Sequence, residues 1–241
     1  MKLWQANVGR GADKAKFRRN IAKVKRAAGP RAVINFQEID EADVPNEMDD
    51  IAWLWRWTHK VIGDGLAVPI LVPKRYDTFG HRVVLGSSGL AKFTPHRPIN
   101  RIGISLPSSN SVRAELGVTS LDVYDFNFHV PISRAQTQKL RGGMIEKVQE
   151  AAGDVKELGY GGVWVADTNW RKARDGALPR IVPGEKPVIG GRVGTHAEID
   201  VAKAWAGDRS GLRVVVRNRR HIDLTIDGHN AHGADLLWER A

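Results

Sequence analysis

Four apolar runs in this chain end on groups that can bind a cation or move a proton. "LWQAN" ends at Asn7, "VINFQE" at Gln37-Glu38, "YDFNFH" at His129, and "VWVAD" at Asp167 with Asn169 two residues on. Carboxylate and amide oxygens are ligands for hard cations, and imidazole exchanges protons near neutrality. Each residue also has a plain reading. An Asp or Asn after a strand is often turn chemistry, and a lone His is often a satisfied core or surface group. Glu38 opens the acidic stretch "EIDEADVPNEMDD" and could be a surface carboxylate. Taken singly, Asn7 reads as a turn residue, whereas His129 and Glu38 are evenly balanced.

The elements that would carry these groups are strands. Residues two apart on a strand share a face. Leu3, Gln5 and Asn7 therefore fall on one side, and Asp125, Asn127 and His129 oppose Tyr124, Phe126, Phe128 and Val130. Val163, Val165, Asp167 and Asn169 align if the strand runs on through 169. Hydrophobic periodicity predicts strands at 2–8, 31–38, 51–57, 65–73, 81–86, 100–107, 161–167, 197–206, 211–218 and 234–240. Residues 114–130 read as a strand pair or one long strand. Helices are predicted over 12–28 (inner stripe Phe17, Ile21, Val24, Ala28; stopped by Gly29-Pro30) and over 134–158. Residues 171–194, rich in Gly, Pro and Arg, read as a long surface loop. With no repeat and no convincing linker, residues 1–241 read as one α/β domain with a large β content. Strand ends on a common rim are where such proteins assemble sites.

Composition narrows the chemistry. The chain has no cysteine, which excludes disulfides, thiolate metal sites and a cysteine nucleophile. No run is long and apolar enough for a signal peptide or membrane span, so the reading is a cytoplasmic monomer that does not engage membranes. Its character suits a bacterial or bacteriophage protein. The formal net charge is +10, which favours polyanions such as nucleic acid. Much of it lies in residues 14–31 and in "RSGLRVVVRNRR", and charge runs are commonly only solvated faces. In "WLWRW" Trp53, Trp55 and Trp57 share a face; it is a base-stacking platform if exposed, but such a stripe is more often core.

In this order the motifs resemble the endonuclease/exonuclease/phosphatase superfamily, and the resemblance spans the whole chain. "LWQANVGR" supplies the first-strand Asn7, "NFQEID" Gln37 and Glu38, "FNFHVP" His129, and "HAEIDVAKAW" Asp200. "VADTN" is similar to the family's G-D-x-N, with Ala166 in place of Gly. The closing S-D-H corresponds to a point within "DGHNAHGADLLWER". The distance to the final strand favours His232 as the match, which puts Ala231 where the family has an aspartate. His229 is the alternative counterpart, and His229 or Asp227 could compensate for the missing acid.

The resemblance implies a four-layer α/β sandwich of two packed, mostly antiparallel sheets flanked by helices. It also implies metal-dependent hydrolysis of a phosphate ester by in-line attack of water. Glu38 would hold Mg²⁺ (or Mn²⁺), with Asn7 supporting either the metal site or Asp167. Asp167 would orient or deprotonate the water, Asn169 would donate to the phosphate, and His232 held by Asp200 would act on phosphate or water. His129 would contact another phosphate oxygen. Trp170, Arg171, Lys172 and Arg174 would meet the substrate, with nucleic acid, DNA in particular, as the expected partner. A small phosphate ester or phospholipid head group is the alternative substrate. A catalytically weakened nucleic-acid binder, motivated by Ala231, is the third reading.

Overall fold

The structure is a computed structural model. It describes residues 1–9, 13–56, 66–85, 98–107, 120–130, 138–170, 175–189, 200–208, 210–226 and 229–241.

Two six-stranded sheets dominate. The first contains β1 (Lys2–Asn7), β2 (Ala32–Gln37), β4 (Trp53–Arg56), β6 (Ile70–Pro73), β13 (Leu212–Ile226) and β14 (His229–Arg240), in the order β13-β14-β1-β2-β6-β4. The second contains β7 (Asp77–Leu85), β8 (Pro98–Pro107), β9 (Ser120–His129), β10 (Gly161–Asp167), β11 (Lys186–Ile189) and β12 (Asp200–Trp205), in the order β11-β12-β10-β9-β8-β7. A short pair, β3 (Ile39–Asp40) with β5 (Leu66–Ala67), stands apart.

Each large sheet is antiparallel except at its centre. There β1 runs parallel to β2, and β9 runs parallel to β10. Parallel neighbours need a crossover. The helix α1 (Lys14–Ala28) supplies it in the first sheet and α3 (Gln138–Glu157) in the second; the short α2 (Val44–Met48) follows a single 3-10 turn, Glu41–Asp43.

Helix α1 begins where the Asp13 side chain accepts the Lys16 N–H at 2.9 Å. It ends at Gly29, whose φ of 71° suits glycine, before Pro30. Its inner stripe is the predicted one: Phe17, Ile21, Val24 and Ala28 are buried against Trp4, Ala6, Ile34 and Phe36 of the first sheet. Alternate residues of the same strands face the other way. Leu3, Val33, Ile102, Val123, Val163 and Ala202 meet between the sheets. On the far face of the second sheet, Phe126, Phe128 and Trp164 pack against Met144, Val148 and Val155 of α3. These three apolar clusters separate four layers, helix–sheet–sheet–helix, the expected α/β sandwich.

The glycine pair that opens β10 has a packing cause. A Cβ on Gly161 would lie 2.6 Å from the Trp238 ring nitrogen, and one on Gly162 would lie 2.2 Å from the Trp205 ring.

Several predicted boundaries move. The strand predicted at 161–167 keeps those bounds and does not run on to Asn169, which takes a φ of 47°, so Asp167 and Asn169 do not share a strand face. Within the loop predicted at 171–194, Lys186–Ile189 form an edge strand, and Ile181, Val182, Val188 and Ile189 are buried. The closing strands are longer than their apolar cores: β13 continues to Ile226, and β14 starts at His229 rather than 234. Trp53 is core, its indole N–H donating to the Ala32 carbonyl at 2.7 Å, and Trp55 packs half-buried on the same cluster. Trp57 lies outside the described residues. No helix among the described residues is long and apolar enough to cross a membrane.

Candidate active site

The parallel pairs β1–β2 and β9–β10 point their carboxyl ends at one rim. Asn7 and Gln37 are register partners there in the first sheet, and His129 and Asp167 in the second. The antiparallel neighbours reach that rim with their first residues, Asp200 on β12 opposite Asp167, and His229 on β14. The space between the sheets therefore changes character along its length. It is apolar through Leu3, Val33, Val123 and Val163, then amide-lined through Gln5, Asn35 and Asn127, and finally charged at the rim.

Asp167 sits at the centre of this charged end, 1 % exposed. Its Oδ1 accepts the Asn169 N–H at 2.9 Å, and its Oδ2 accepts the Asn7 side-chain N–H at 2.7 Å. The same Oδ2 lies 3.4 Å from His129 Nε2 and 4.0 Å from His229 Nε2. Burial raises its proton affinity above the ordinary carboxylate range, and the Asp200 charge adds to the rise. His229 and the two hydrogen bonds oppose it.

His129 Nε2 is 3.5 Å from Glu38 Oε1. Asn169 Nδ2 donates to the Val130 carbonyl at 2.8 Å and approaches His129 Nε2 at 2.9 Å. Both flanking residues adopt unusual backbone: Glu38 has φ 58° and Asn169 φ 47°. Asn tolerates this region; for Glu38 it is strain held by the surrounding structure, as is common at functional sites.

The histidine hydrogen-bonded to Asp200 is His229. Its Nδ1 is 3.3 Å from Asp200 Oδ2. Burial pulls this imidazole down, but the Asp200 hydrogen bond and the charges of Asp200, Asp167 and Glu38 outweigh it and lift it to about 9. His232, the histidine that spacing favoured, pairs in register with Gln5, two residues inward from Asn7 on β1. Burial lowers its proton affinity, with Asp200 opposing. The placement of the two histidines has a simple cause. The final strand starts at residue 229, so its rim residue is His229 and His232 lies deeper. Ala231 is buried on the α1 face of the sheet, not between the sheets. Asp227 lies outside the described residues.

The structure thus brings together Asn7, Glu38, His129, Asp167, Asn169, Asp200 and His229. Trp170 follows Asn169, half-buried; its indole N–H donates to the Gly176 carbonyl, and its ring lies 4.7 Å from the Arg141 guanidinium. Arg141, a buried α3 residue that sequence reasoning passed over, also bridges to Asp175 at 3.2 Å and donates to the Asn169 carbonyl at 3.3 Å. Arg171, Lys172 and Arg174 lie outside the described residues.

Two groups of side chains place one ligand atom each within 4.8 Å of one another, Glu38–His129–Asp167 and Asp167–Asp200–His229. Three carboxylates in so small a space would repel an anionic substrate without a counter-charge. Oxygen-rich donors with a partly exposed Glu38 at the mouth fit a hard divalent cation. Asn7 braces Asp167 through its amide N–H, while its carbonyl oxygen accepts the Gly9 N–H at 2.9 Å.

No family model and no curated protein matches the sequence. Solved structures do match the fold. An endonuclease/exonuclease/phosphatase family protein from Bacteroides thetaiotaomicron superposes with a TM-score of 0.69 at 11% identity, covering 100% of this chain and 98% of its own. The chain has the endonuclease/exonuclease/phosphatase fold. A mannosyl-6-phosphatase of the same organism matches with a TM-score of 0.68 at 12% identity, over 98% of this chain and 99% of that one. D. rerio TDP2, complexed with a single-strand DNA product, matches with 0.66 at 15% identity over 98% of each chain.

Proposed function

We propose that this chain hydrolyses phosphate esters with the help of a divalent cation, and that its substrate is nucleic acid, DNA first. The observation that carries the reading is the convergence on Asp167: braced by Asn7 and Asn169, it lies between two imidazoles, one of them held by a second carboxylate.

Glu38 is the residue best placed to hold Mg²⁺ or Mn²⁺, with Asp167 and His129 within reach. Bound there, the ion would offset phosphate charge and stabilise the leaving oxygen. Asp167, with its raised proton affinity, orients the attacking water and accepts its proton. His229 is cationic at neutral pH and donates to a phosphate oxygen, while Asp200 fixes the ring through Nδ1. His129 and Asn169 together face a further phosphate oxygen. Trp170 would stack on a base next to the cleaved bond.

The DNA assignment draws on the net charge of +10 and on the fold it shares with the DNA-bound TDP2 structure. A second reading, a small phosphate ester, is favoured by a different observation. Many side chains of the basic runs are already paired: Lys14 with Asp40 and Asp43, Arg18 with Glu47, Lys25 with Asp50, Arg217 with Glu239, and Arg220 with Asp235. The decisive experiment incubates the protein with circular and linear DNA and with phosphomonoesters, with and without Mg²⁺ or Mn²⁺. Nicking or end degradation that needs the metal supports the DNA reading. Turnover of monoesters alone selects the second. Salt-sensitive DNA binding with no turnover of either would leave a nucleic-acid-binding relative.

A further inference from the structure

Between the sheets, behind the charged rim, three buried amide side chains form a chain of hydrogen bonds that ends on Asp200. Asn127 donates both side-chain N–H groups to backbone carbonyls, Phe36 at 2.8 Å and Pro69 at 3.0 Å. Its Oδ1 is therefore left as an acceptor, and Gln37 Nε2 donates to it at 2.6 Å. That orients Gln37 Oε1 toward Gln5, whose Nε2 approaches it at 3.3 Å. The second Gln5 N–H goes to Asp200 Oδ1 at 2.7 Å. Gln5, Gln37 and Asn127 are each 0 % exposed.

The order matters because an amide has one donor end and one acceptor end. Two fixed backbone carbonyls decide which way Asn127 faces, and each later amide inherits its direction from the one before. The last link presents only N–H to Asp200 Oδ1. With Asp200 Oδ1 accepting from Gln5, Oδ2 is the oxygen turned toward His229, whose Nδ1 lies 3.3 Å away.

We infer that Gln5 is a positioning residue for the reaction: the Asn127–Gln37–Gln5 relay holds the Asp200 side chain aimed, and through it fixes His229 with its Nδ1 proton toward that carboxylate. The inference rests on the hydrolytic reading for its kinetic effect, but its structural core does not. The relay also explains an apparent defect. Gln5 Oε1 is buried with no hydrogen-bond partner, because both N–H groups are committed to acceptors and the oxygen must face away from them. Such an unsatisfied oxygen is costly, and an apolar residue of similar size would avoid that cost. A glutamine retained here at that expense fits a role in the site rather than in packing.

The test uses Gln5→Met, which keeps the volume and removes both donors, and Gln5→Ala as a second variant. Outer supports of this kind are worth about 10–100-fold when removed. Gln5→Met should lose that much in kcat with KM within twofold. In an Asp200→Asn background the same change should cost nothing further, because Gln5 acts through Asp200. Independently of turnover, proton NMR of wild-type protein should show a downfield Nδ1–H signal that disappears in His229→Asn and shifts or broadens in Gln5→Met. Folded Gln5 variants with wild-type kcat, or an equal loss in the Asp200→Asn background, would overturn the inference. So would a wild-type His229 lacking the Nδ1–H signal, even if neither variant folds. A wild type inactive on every phosphate ester sinks the proposed function while leaving the NMR test of the relay intact.

Discussion

His229 Nδ1 and Asp200 Oδ2 stand 3.3 Å apart, joining the first residue of β14 in one sheet to the first residue of β12 in the other. That contact is the ground for proposing His229 as the histidine that acts at the site. His229→Ala should lower kcat/KM on the preferred phosphate ester by about 10²–10³-fold, the usual worth of a preorganised donor to transition-state charge. His232→Ala, deeper along β14 and opposite Gln5, should stay within about tenfold of wild type. Steady-state kinetics on both purified variants checks this; the reverse ranking would return the role to His232.

Asn7 is fully buried, and its 2.7 Å hydrogen bond goes to a carboxylate. Hydrogen bonds to charged groups are worth about 1.5–3 kcal/mol, and a buried group left without its partner costs a similar amount. Asn7→Ala should therefore reduce unfolding free energy by about 2 kcal/mol in urea titrations. Because the bond also holds Asp167 in place, kcat should fall further than KM rises. A variant with wild-type stability and kcat would show that the brace is dispensable.

Much of this arrangement is legible in the sequence because strand side chains alternate. Once "LWQAN" and "YDFNFH" are read as strands, the facing of Gln5 and Asn7, and of Asp125, Asn127 and His129, follows from the period of two. What could not be read is register. Strand β14 pairs His232 with Gln5 and runs on to His229, so counting back from the apolar "ADLLWE" lands on His232 instead of the rim residue His229. Charge pairing was equally hidden. The basic face of α1 and the acidic segment after Glu38 are separate runs in the chain, and only the fold sets Lys14, Arg18 and Lys25 against Asp43, Glu47 and Asp50. The amide relay escaped for the same reason, since its links join β9, β2, β1 and β12.

The carboxylates at the rim predict a metal effect that can be read without turnover. A cation that binds only the folded state stabilises it by RT ln(1 + [L]/Kd), about 2.7 kcal/mol at 100 times Kd. Mg²⁺ should raise the melting temperature of the wild type, and EDTA should reverse the rise and abolish hydrolysis. Glu38→Gln, which keeps the shape and removes the charge, should blunt the shift and require more Mg²⁺ for activity. An Mg²⁺-induced shift of equal size in wild type and Glu38→Gln would move the ion away from Glu38.

Asp125 lies between the sheets, fully buried, with Asn35 Nδ2 donating to its Oδ2 at 2.9 Å and no partner on its Oδ1. Burial raises its pKa to about 7, only partly opposed by the Asn35 hydrogen bond. The neutral form therefore belongs to the folded state, whereas the unfolded chain releases the proton near the ordinary carboxylate value of about 4. The resulting stability is fully present below pH 4 and is lost as pH rises toward 7, a change on the order of 4 kcal/mol. Asp125→Asn keeps an acceptor for Asn35, adds a donor, and cannot ionise. Its unfolding free energy should match the wild type near pH 4 and exceed it by a few kcal/mol at pH 8, flattening the slope between. Urea titrations of both proteins across that range give the answer, and parallel pH profiles would mean that Asp125 does not ionise within the folded core.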